Sequence, residues 1–90
     1  MQVKNIVFDF DTIASTEDFY AACKEKLALP DYFGDNLDAL YDCLTGYIGL
    51  PVKIKFIHLS KEQRTAFKSV IKTFEDAHEA LGDDFVVNFK

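Results

Sequence analysis

An acidic and aromatic segment is the part of this sequence whose residue types and spacing could do chemistry. Residues 30–47, PDYFGDNLDALYDCLTGY, contain four aspartates and three tyrosines but no lysine or arginine. The spacing of Asp35, Asp38 and Asp42 would place their carboxylates on one face of a helix. Like charges three or four residues apart cost a few tenths of a kcal/mol per pair, and a solvated helix face usually carries lysines that remove this cost. Such a stripe suits a basic partner.

Tyrosines accompany the predicted stripe at Tyr32, Tyr41 and Tyr47. Tyrosine offers a large contact area at low entropic cost and is enriched in protein interfaces. A plain solvated acidic face remains an alternative from composition alone. Because the acids of the stripe lie on one rigid helix, the pattern does not favour a metal site, and we expect neither a metal nor a cofactor.

A second acidic motif, Asp9-Phe10-Asp11-Thr12, follows an apolar run. It resembles the first motif of the haloacid-dehalogenase-like phosphatases, in which two aspartates act with magnesium as nucleophile and acid/base. The rest of that pattern is missing, since Asp83 and Asp84 precede the last predicted strand, at its wrong end, and the chain is short. We therefore expect turn-forming aspartates, with a small magnesium phosphatase as a minor alternative.

The histidines and cysteines indicate no catalytic constellation. His58 follows a predicted strand and His78 lies on a predicted helix, and neither has a serine, cysteine or acid at a spacing typical of catalysis. Cys23 falls on an apolar helix stripe and is expected in the core. We predict local structural roles for both histidines, and no enzymatic activity.

The net charge of −5 is concentrated in one part of the chain. Residues 27–52 contain four acids and no bases, whereas the remainder has eleven acids and ten bases. A surface of this kind attracts a basic protein and repels nucleic acid and anionic membranes. The N-terminal residues show no signal-peptide features and no apolar run is long enough to cross a membrane, so we expect a cytoplasmic protein.

The elements that must position these residues follow from periodicity. Residues 3–10 form an apolar run typical of a strand covered on both faces or nearly so. Four-residue spacing of apolar side chains predicts a helix over 15–28, and Leu37, Leu40 and Leu44 predict another over 35–45 that ends at Gly46. Residues 52–56 alternate as a strand with one exposed face.

The remaining chain predicts one long helix and one strand. Ser60 and Gln63 form a capping box, after which apolar residues keep a helical rhythm up to Gly82. Residues 85–89 then form the last strand. The order β-α-α-β-α-β, with connections too long for hairpins, predicts one α/β domain over residues 1–90 with a three-stranded parallel sheet and helices packed on it.

The segment LALPDYFGDNLDALYDCLTGY, residues 27–47, resembles the signature of the barstar family of small intracellular inhibitors of microbial ribonucleases. The family pattern has a leucine-proline-acid-aromatic-aromatic-glycine turn followed by asparagine-leucine-aspartate-alanine-leucine, an aromatic residue and an aspartate. The resemblance implies a non-catalytic protein, a monomer when free, that covers the active site of a basic ribonuclease with its acidic helix.

The resemblance also implies roles for individual residues. Asp42 would occupy the enzyme's phosphate pocket in place of an RNA phosphate, and Asp38 would pair with basic residues at the rim. Further partner contacts would come from Tyr32, Asn36, Tyr41, Thr45, Gly46, Tyr47 and Asp76. The chain departs from the family where tryptophan is frequent, at Tyr41 and Tyr47, and has the shorter Asp76 in place of glutamate. The target is therefore either a microbial ribonuclease or a different basic protein or toxin.

Overall fold

The structure, a computed structural model, describes residues 3–30, 34 and 36–89. The elements are β1 (Lys4–Asp9), α1 (Thr16–Lys26), α2 (Leu37–Gly46), β2 (Val52–Ile57), α3 (Lys61–Ala66), α4 (Lys68–Leu81), a short 3₁₀ turn (Gly82–Asp84) and β3 (Phe85–Phe89). No helix within these residues is both long enough and apolar enough for a membrane span. The predicted α/β fold with its three strands is confirmed.

The sheet is entirely parallel, with β2 between β1 and β3. Ile6 lies opposite Ile54, and Ile54 lies opposite Val87 in turn. The helices α1 and α2 cross from β1 to β2, and α3 and α4 cross from β2 to β3. Parallel neighbours bring the carboxyl ends of their strands to one edge of the sheet, so residues that follow β1 and β2 lie side by side.

The helices cover one face of the sheet and leave the other face open. The register places Phe8, Ile54 and Phe85 on the covered face, where all three are fully buried. Val7 and Lys55 face the opposite way and are exposed. The prediction that β1 is covered on both faces is therefore wrong. A continuous apolar run does not show whether a strand is covered on two faces or, like the edge strand β1, on one. The prediction followed the general rule that all-parallel sheets usually have both faces covered.

A cluster of phenylalanine rings joins the sheet to the helices. Phe8 of β1 lies 5.2 Å from Phe19 of α1, and Phe56 of β2 lies 5.0 Å from Phe74 of α4, measured between ring centroids. All four side chains are fully buried. Offset and edge-on aromatic pairs add about 0.5–1.5 kcal/mol to the burial of the rings themselves. This cluster fixes the helix layer on the sheet.

The long helix predicted after Ser60 is two helices. The chain leaves helical geometry at Phe67, with φ −102° and ψ 22°, and continues as α4. Phe67 is buried and its ring lies 5.2 Å from that of Phe10. Residues 61–65 of α3 are polar, and the Gln63 side chain donates hydrogen bonds to the carbonyls of Phe10 and Ile13. These tertiary contacts direct α3 differently from α4, which periodicity alone could not show.

The phenylalanine cluster yields a stability prediction. Phe74→Ala should lower the free energy of unfolding by about 3–5 kcal/mol, because it removes a fully buried ring and leaves a cavity. Urea denaturation followed by circular dichroism measures the loss. Val7→Ala, on the open face of the sheet, is the control and should cost much less. A loss for Phe74→Ala no larger than that of the control would contradict the role given to the cluster.

Candidate functional site

The acidic helix α2 is fixed to the core by one side. Leu40 and Leu44 are fully buried and α2 packs against α4. Its start is set by Asn36, whose side-chain oxygen accepts a hydrogen bond of 2.8 Å from the Ala39 amide. This N-cap satisfies an amide that the first helical turn would leave without a partner. The buried leucines therefore fix one side of α2 against the core, and the opposite side of the helix faces outward.

The outer face of α2 carries Asp38, Tyr41, Asp42 and Thr45. At helical spacing these four positions fall within an arc of about 100°, on the side away from the buried leucines. Asp38 and Asp42 are exposed, and neither forms an ion pair with any described residue. No basic residue occupies the last turn of α2. We call these four residues the acidic face.

A groove between α2 and α4 adjoins the acidic face. It has a volume of about 330 Å³ and is lined by Leu37, Asp38, Tyr41, Thr73 and Asp76. Asp38 and Tyr41 of α2 and the distant Asp76 of α4, all selected by the family resemblance, thus line one depression. The groove has two carboxylates, an aromatic ring and an apolar side chain, which together suit a basic side chain with an apolar stem.

Asp76 already has a cation beside it. The Lys72 ammonium lies 3.4 Å from the Asp76 carboxylate, one turn earlier on α4. Both side chains are substantially exposed, so the pair contributes little to stability. Lys72 was not predicted as a neighbour of the site, because it lies on α4, outside the acidic segment. The spacing of Lys72 and Asp76, four residues apart on one predicted helix, is the sequence pattern that could have predicted this ion pair.

The other predicted contact residues are not gathered in the groove. Asn36 caps α2, and the Thr45 hydroxyl donates to the Tyr41 carbonyl at 2.8 Å. Gly46 ends α2 and is exposed, and a Cβ built on it would meet no atom within 4 Å, so the fold does not require glycine there. Tyr47 follows and is half exposed. Tyr32 and Asp35 lie outside the described residues.

A second polar cluster lies at the carboxyl ends of β1 and β2. The Nδ1 atom of His58 is 2.9 Å from an Asp9 oxygen and 3.1 Å from an Asp11 oxygen. The Asp9 side chain also accepts a hydrogen bond from the Asp11 amide, which confirms the predicted turn role of these aspartates. We call Asp9, Asp11 and His58 the strand-end cluster. Sequence reasoning missed His58 as its third member, although both strands were predicted.

The strand-end cluster shifts two ionisations in opposite directions. The hydrogen bond from His58 lowers the pKa of Asp9, and the Asp11 amide lowers it further. The same hydrogen bond to Asp9, followed by the charge of Asp11, raises the pKa of His58. Each charged form thus favours the other. The phosphatase alternative gains no support from this geometry, because Asp83 and Asp84 precede β3 and so lie at the opposite end of the parallel sheet.

The remaining candidate side chains have local roles. The His78 ring donates a hydrogen bond to the Phe85 carbonyl and so links α4 to β3. Cys23 is buried in the core, as predicted. Cys43 is half-buried on α2, where burial raises the pKa of its thiol and the Asp42 charge adds to the effect. A raised thiol pKa disfavours the reactive thiolate.

The strand-end cluster yields a pH prediction. The raised pKa of His58 gives stability that is present below its ordinary value of 6.5 and is lost as pH rises through the folded pKa. The lowered pKa of Asp9 gives stability that is present above its ordinary value of 3.8 and is lost as pH falls through the folded pKa. The cluster should thus stabilise the fold most between these two values.

Melting temperatures recorded across pH in metal-free buffer measure this effect. His58→Asn removes the imidazole and suits the position, because His58 has φ 57° and asparagine tolerates this left-handed geometry. The difference in melting temperature between the wild type and this variant should be largest near pH 5–6 and decline on both sides, whereas a difference independent of pH would contradict the ion pair.

Comparison with known proteins matches the whole described range of the chain. A sequence model of the family described as Barstar (barnase inhibitor) covers residues 3–90. A Bacillus subtilis (strain 168) protein named "Putative ribonuclease inhibitor YrdF" is 34% identical over 88 residues, which cover 94% of this chain and 97% of that protein. The fold of a three-stranded parallel sheet with helices on one face agrees with the family resemblance seen in the acidic segment. The chain belongs to the barstar family.

Proposed function

We propose that this protein is a stoichiometric, non-catalytic inhibitor of a microbial ribonuclease and that it covers the enzyme's active site with the acidic face. Membership of a family described as barnase inhibitors supports this reading. The name of the Bacillus subtilis relative, a ribonuclease inhibitor, points the same way. The observation that carries the proposal is the pair of exposed carboxylates, Asp38 and Asp42, that have no ion-pair partner among the described residues.

The charge of the acidic face explains how such an inhibitor would find its target. A ribonuclease needs a basic active site to hold the phosphates of RNA, so a protein with carboxylates in similar positions competes for the same cations. Unpaired acids attract the enzyme over roughly one Debye length, about 8 Å at physiological salt. Contact then allows arginine to bind a carboxylate with two hydrogen bonds. In this proposal Asp42 takes the place of an RNA phosphate.

The groove would hold a second basic side chain of the enzyme. Asp38 and Asp76 supply negative charge, while Leu37 and Tyr41 supply apolar and aromatic contact. An arginine fits this combination because its guanidinium pairs with carboxylates and also stacks on aromatic rings. The remaining predicted contacts with the enzyme are Tyr32, Asn36, Thr45, Gly46 and Tyr47. The exposed Gly46 would allow close approach by the enzyme.

A titration of enzyme activity tests the proposal directly. Increasing amounts of the protein are added to a panel of guanyl-specific microbial ribonucleases that includes barnase. Activity on RNA should fall linearly to an end point at equimolar protein for at least one enzyme. If every enzyme kept its full activity at a large excess of protein, the proposal would be refuted and a different basic partner for the acidic face would be favoured.

Substitution of the two unpaired aspartates tests the mechanism. Asp42→Ala should weaken inhibition by about 2–5 kcal/mol, a range for buried charge pairs that itself draws on the family's type complex. Asp38→Ala should cause a smaller loss, because a charge at the rim stays partly solvated. Inhibition constants measured for both variants at one salt concentration give these losses. Unaltered inhibition by both variants would contradict phosphate mimicry.

A matched control separates specific contact from net charge. Asp83→Ala removes the same charge from the 3₁₀ turn before β3, outside the acidic face and the groove, and should leave inhibition close to that of the wild type. Urea denaturation checks that each variant is folded. Asp42→Ala should be slightly stabilised, by about 0.2–0.5 kcal/mol, since it removes the repulsion between Asp38 and Asp42.

Lys72 provides a prediction in the opposite direction. Lys72→Gln removes the cation beside Asp76 and should increase the association rate several-fold at low salt, with a smaller effect at high salt. Stopped-flow measurement of association gives the rate. Lys53→Gln makes the same charge change on the open face of the sheet, as a control, and should have a smaller effect. Equal effects of both substitutions would show that only net charge matters.

A further inference from the structure

The strand-end cluster is separate from the acidic face, and the inhibitor proposal makes no use of it. We propose that Asp9, Asp11 and His58 form a binding site for a divalent first-row transition-metal ion. The sequence alone favoured no metal, because Asp9 and His58 are 49 residues apart and only the parallel pairing of β1 with β2 brings them together. Among the described residues, Asp9, Asp11 and His58 form the group of histidine and acidic side chains whose ligand atoms lie close enough together to hold one metal ion.

The spacing of the ligand atoms matches a coordination sphere. Two ligands that are each about 2.1 Å from an ion and at right angles to one another lie about 3.0 Å apart. The His58 nitrogen lies 2.9 Å from the Asp9 oxygen and 3.1 Å from the Asp11 oxygen. One ligand atom from each of the three residues lies within 4.8 Å of the others. Small side-chain rotations would therefore place all three around one ion.

The surroundings leave room for the rest of the coordination sphere. A cavity of about 570 Å³ adjoins the cluster and is lined by Asp11, Ile57, His58, Leu59 and Ser60. The side chains of Asp11 and His58 are more than half exposed, so water reaches the ion and can fill the remaining positions. Asp9 ends β1 opposite Ile57, the last residue of β2, and His58 follows Ile57 directly, so the strand pairing brings Asp9 and His58 together. The site is thus partly formed before an ion binds.

The donor set selects the class of ion. Imidazole nitrogen suits Zn²⁺, Ni²⁺ and Co²⁺, whereas Mg²⁺ and Ca²⁺ prefer oxygen ligands alone. Two carboxylates and a neutral imidazole carry a charge of −2, which a divalent ion neutralises. In the absence of an ion, His58 joins the two carboxylates through its hydrogen bond to Asp9 and its ion-pair contact with Asp11. A metal ion would take over this bridging role and would join β1 to β2 more strongly.

Calorimetric titration with Zn²⁺ tests the proposal on the full chain. The protein is treated with a chelator and titrated at about pH 8, above the ordinary pKa of imidazole. We expect a single Zn²⁺ ion per chain in the wild type, and a higher melting temperature with Zn²⁺ than with the chelator. Asp11→Asn and His58→Asn should each weaken binding at least about tenfold, because each removes a ligand. The absence of Zn²⁺ binding by the wild type would overturn the proposal.

Two further measurements identify the place of binding. Asp42→Asn makes the same charge change as Asp11→Asn on the acidic face and should leave Zn²⁺ affinity unchanged. In NMR spectra, Zn²⁺ should shift the His58 ring signals and leave those of His78, the other histidine of the chain, in place. Binding that persists in both cluster variants, or that shifts His78 and spares His58, would also overturn the proposal. Circular dichroism confirms that the variants are folded.

Discussion

The packing of phenylalanine rings between the sheet and the helices is the interaction on which the rest of the structure depends. Phe8 and Phe56 project from neighbouring strands and meet Phe19 and Phe74 from two helices. Each large apolar side chain contributes about 1.5–3 kcal/mol on full burial. With one face of the sheet open, this single layer supplies most of the apolar burial. The outer surfaces of the helices are consequently free to carry charge that does not serve the fold.

The free-energy contributions to α2 explain how the helix can form with the charges of the acidic face. Repulsion between Asp38 and Asp42 costs about 0.2–0.5 kcal/mol. The burial of Leu40 and Leu44 on the other side of α2 contributes several times more. The N-cap at Asn36 adds about 1 kcal/mol. The helix therefore forms despite its unpaired charges. A helix can carry an electrostatically unfavourable binding face in the free protein when its opposite side is well packed in the core.

Periodicity predicted those parts of the structure that depend on local chemistry. Three such predictions are confirmed: the alternation of residues 52–56, the buried stripe of Leu40 and Leu44, and the capping box at Ser60. The exposure of one face of β1 and the break at Phe67 were not predicted, because both depend on what packs against an element. The family resemblance selected Asp76 as a partner contact, whereas its place in one groove with Asp38 follows from no local pattern. His58 beside Asp9 required the register of two strands.

The two acidic clusters differ in how their charge is compensated. Asp9 and Asp11 face an imidazole whose raised pKa favours a positive charge between them, so His58 offsets part of their negative charge. Asp38 and Asp42 have no such neighbour among the described residues. The exposed lysines of β2 project from the open face of the sheet, away from the helix layer that carries α2.

This arrangement gives the molecule a negative side and a more basic side. A basic protein within about 8 Å of α2 experiences mainly the unpaired aspartates, because salt screens charges farther away. The same protein approaching the open face of the sheet meets Lys53 and Lys55 and is repelled. Total charge alone could not orient a partner in this way. The orientation arises because a sheet covered on one face only separates its exposed lysines from the charged surface of its helices.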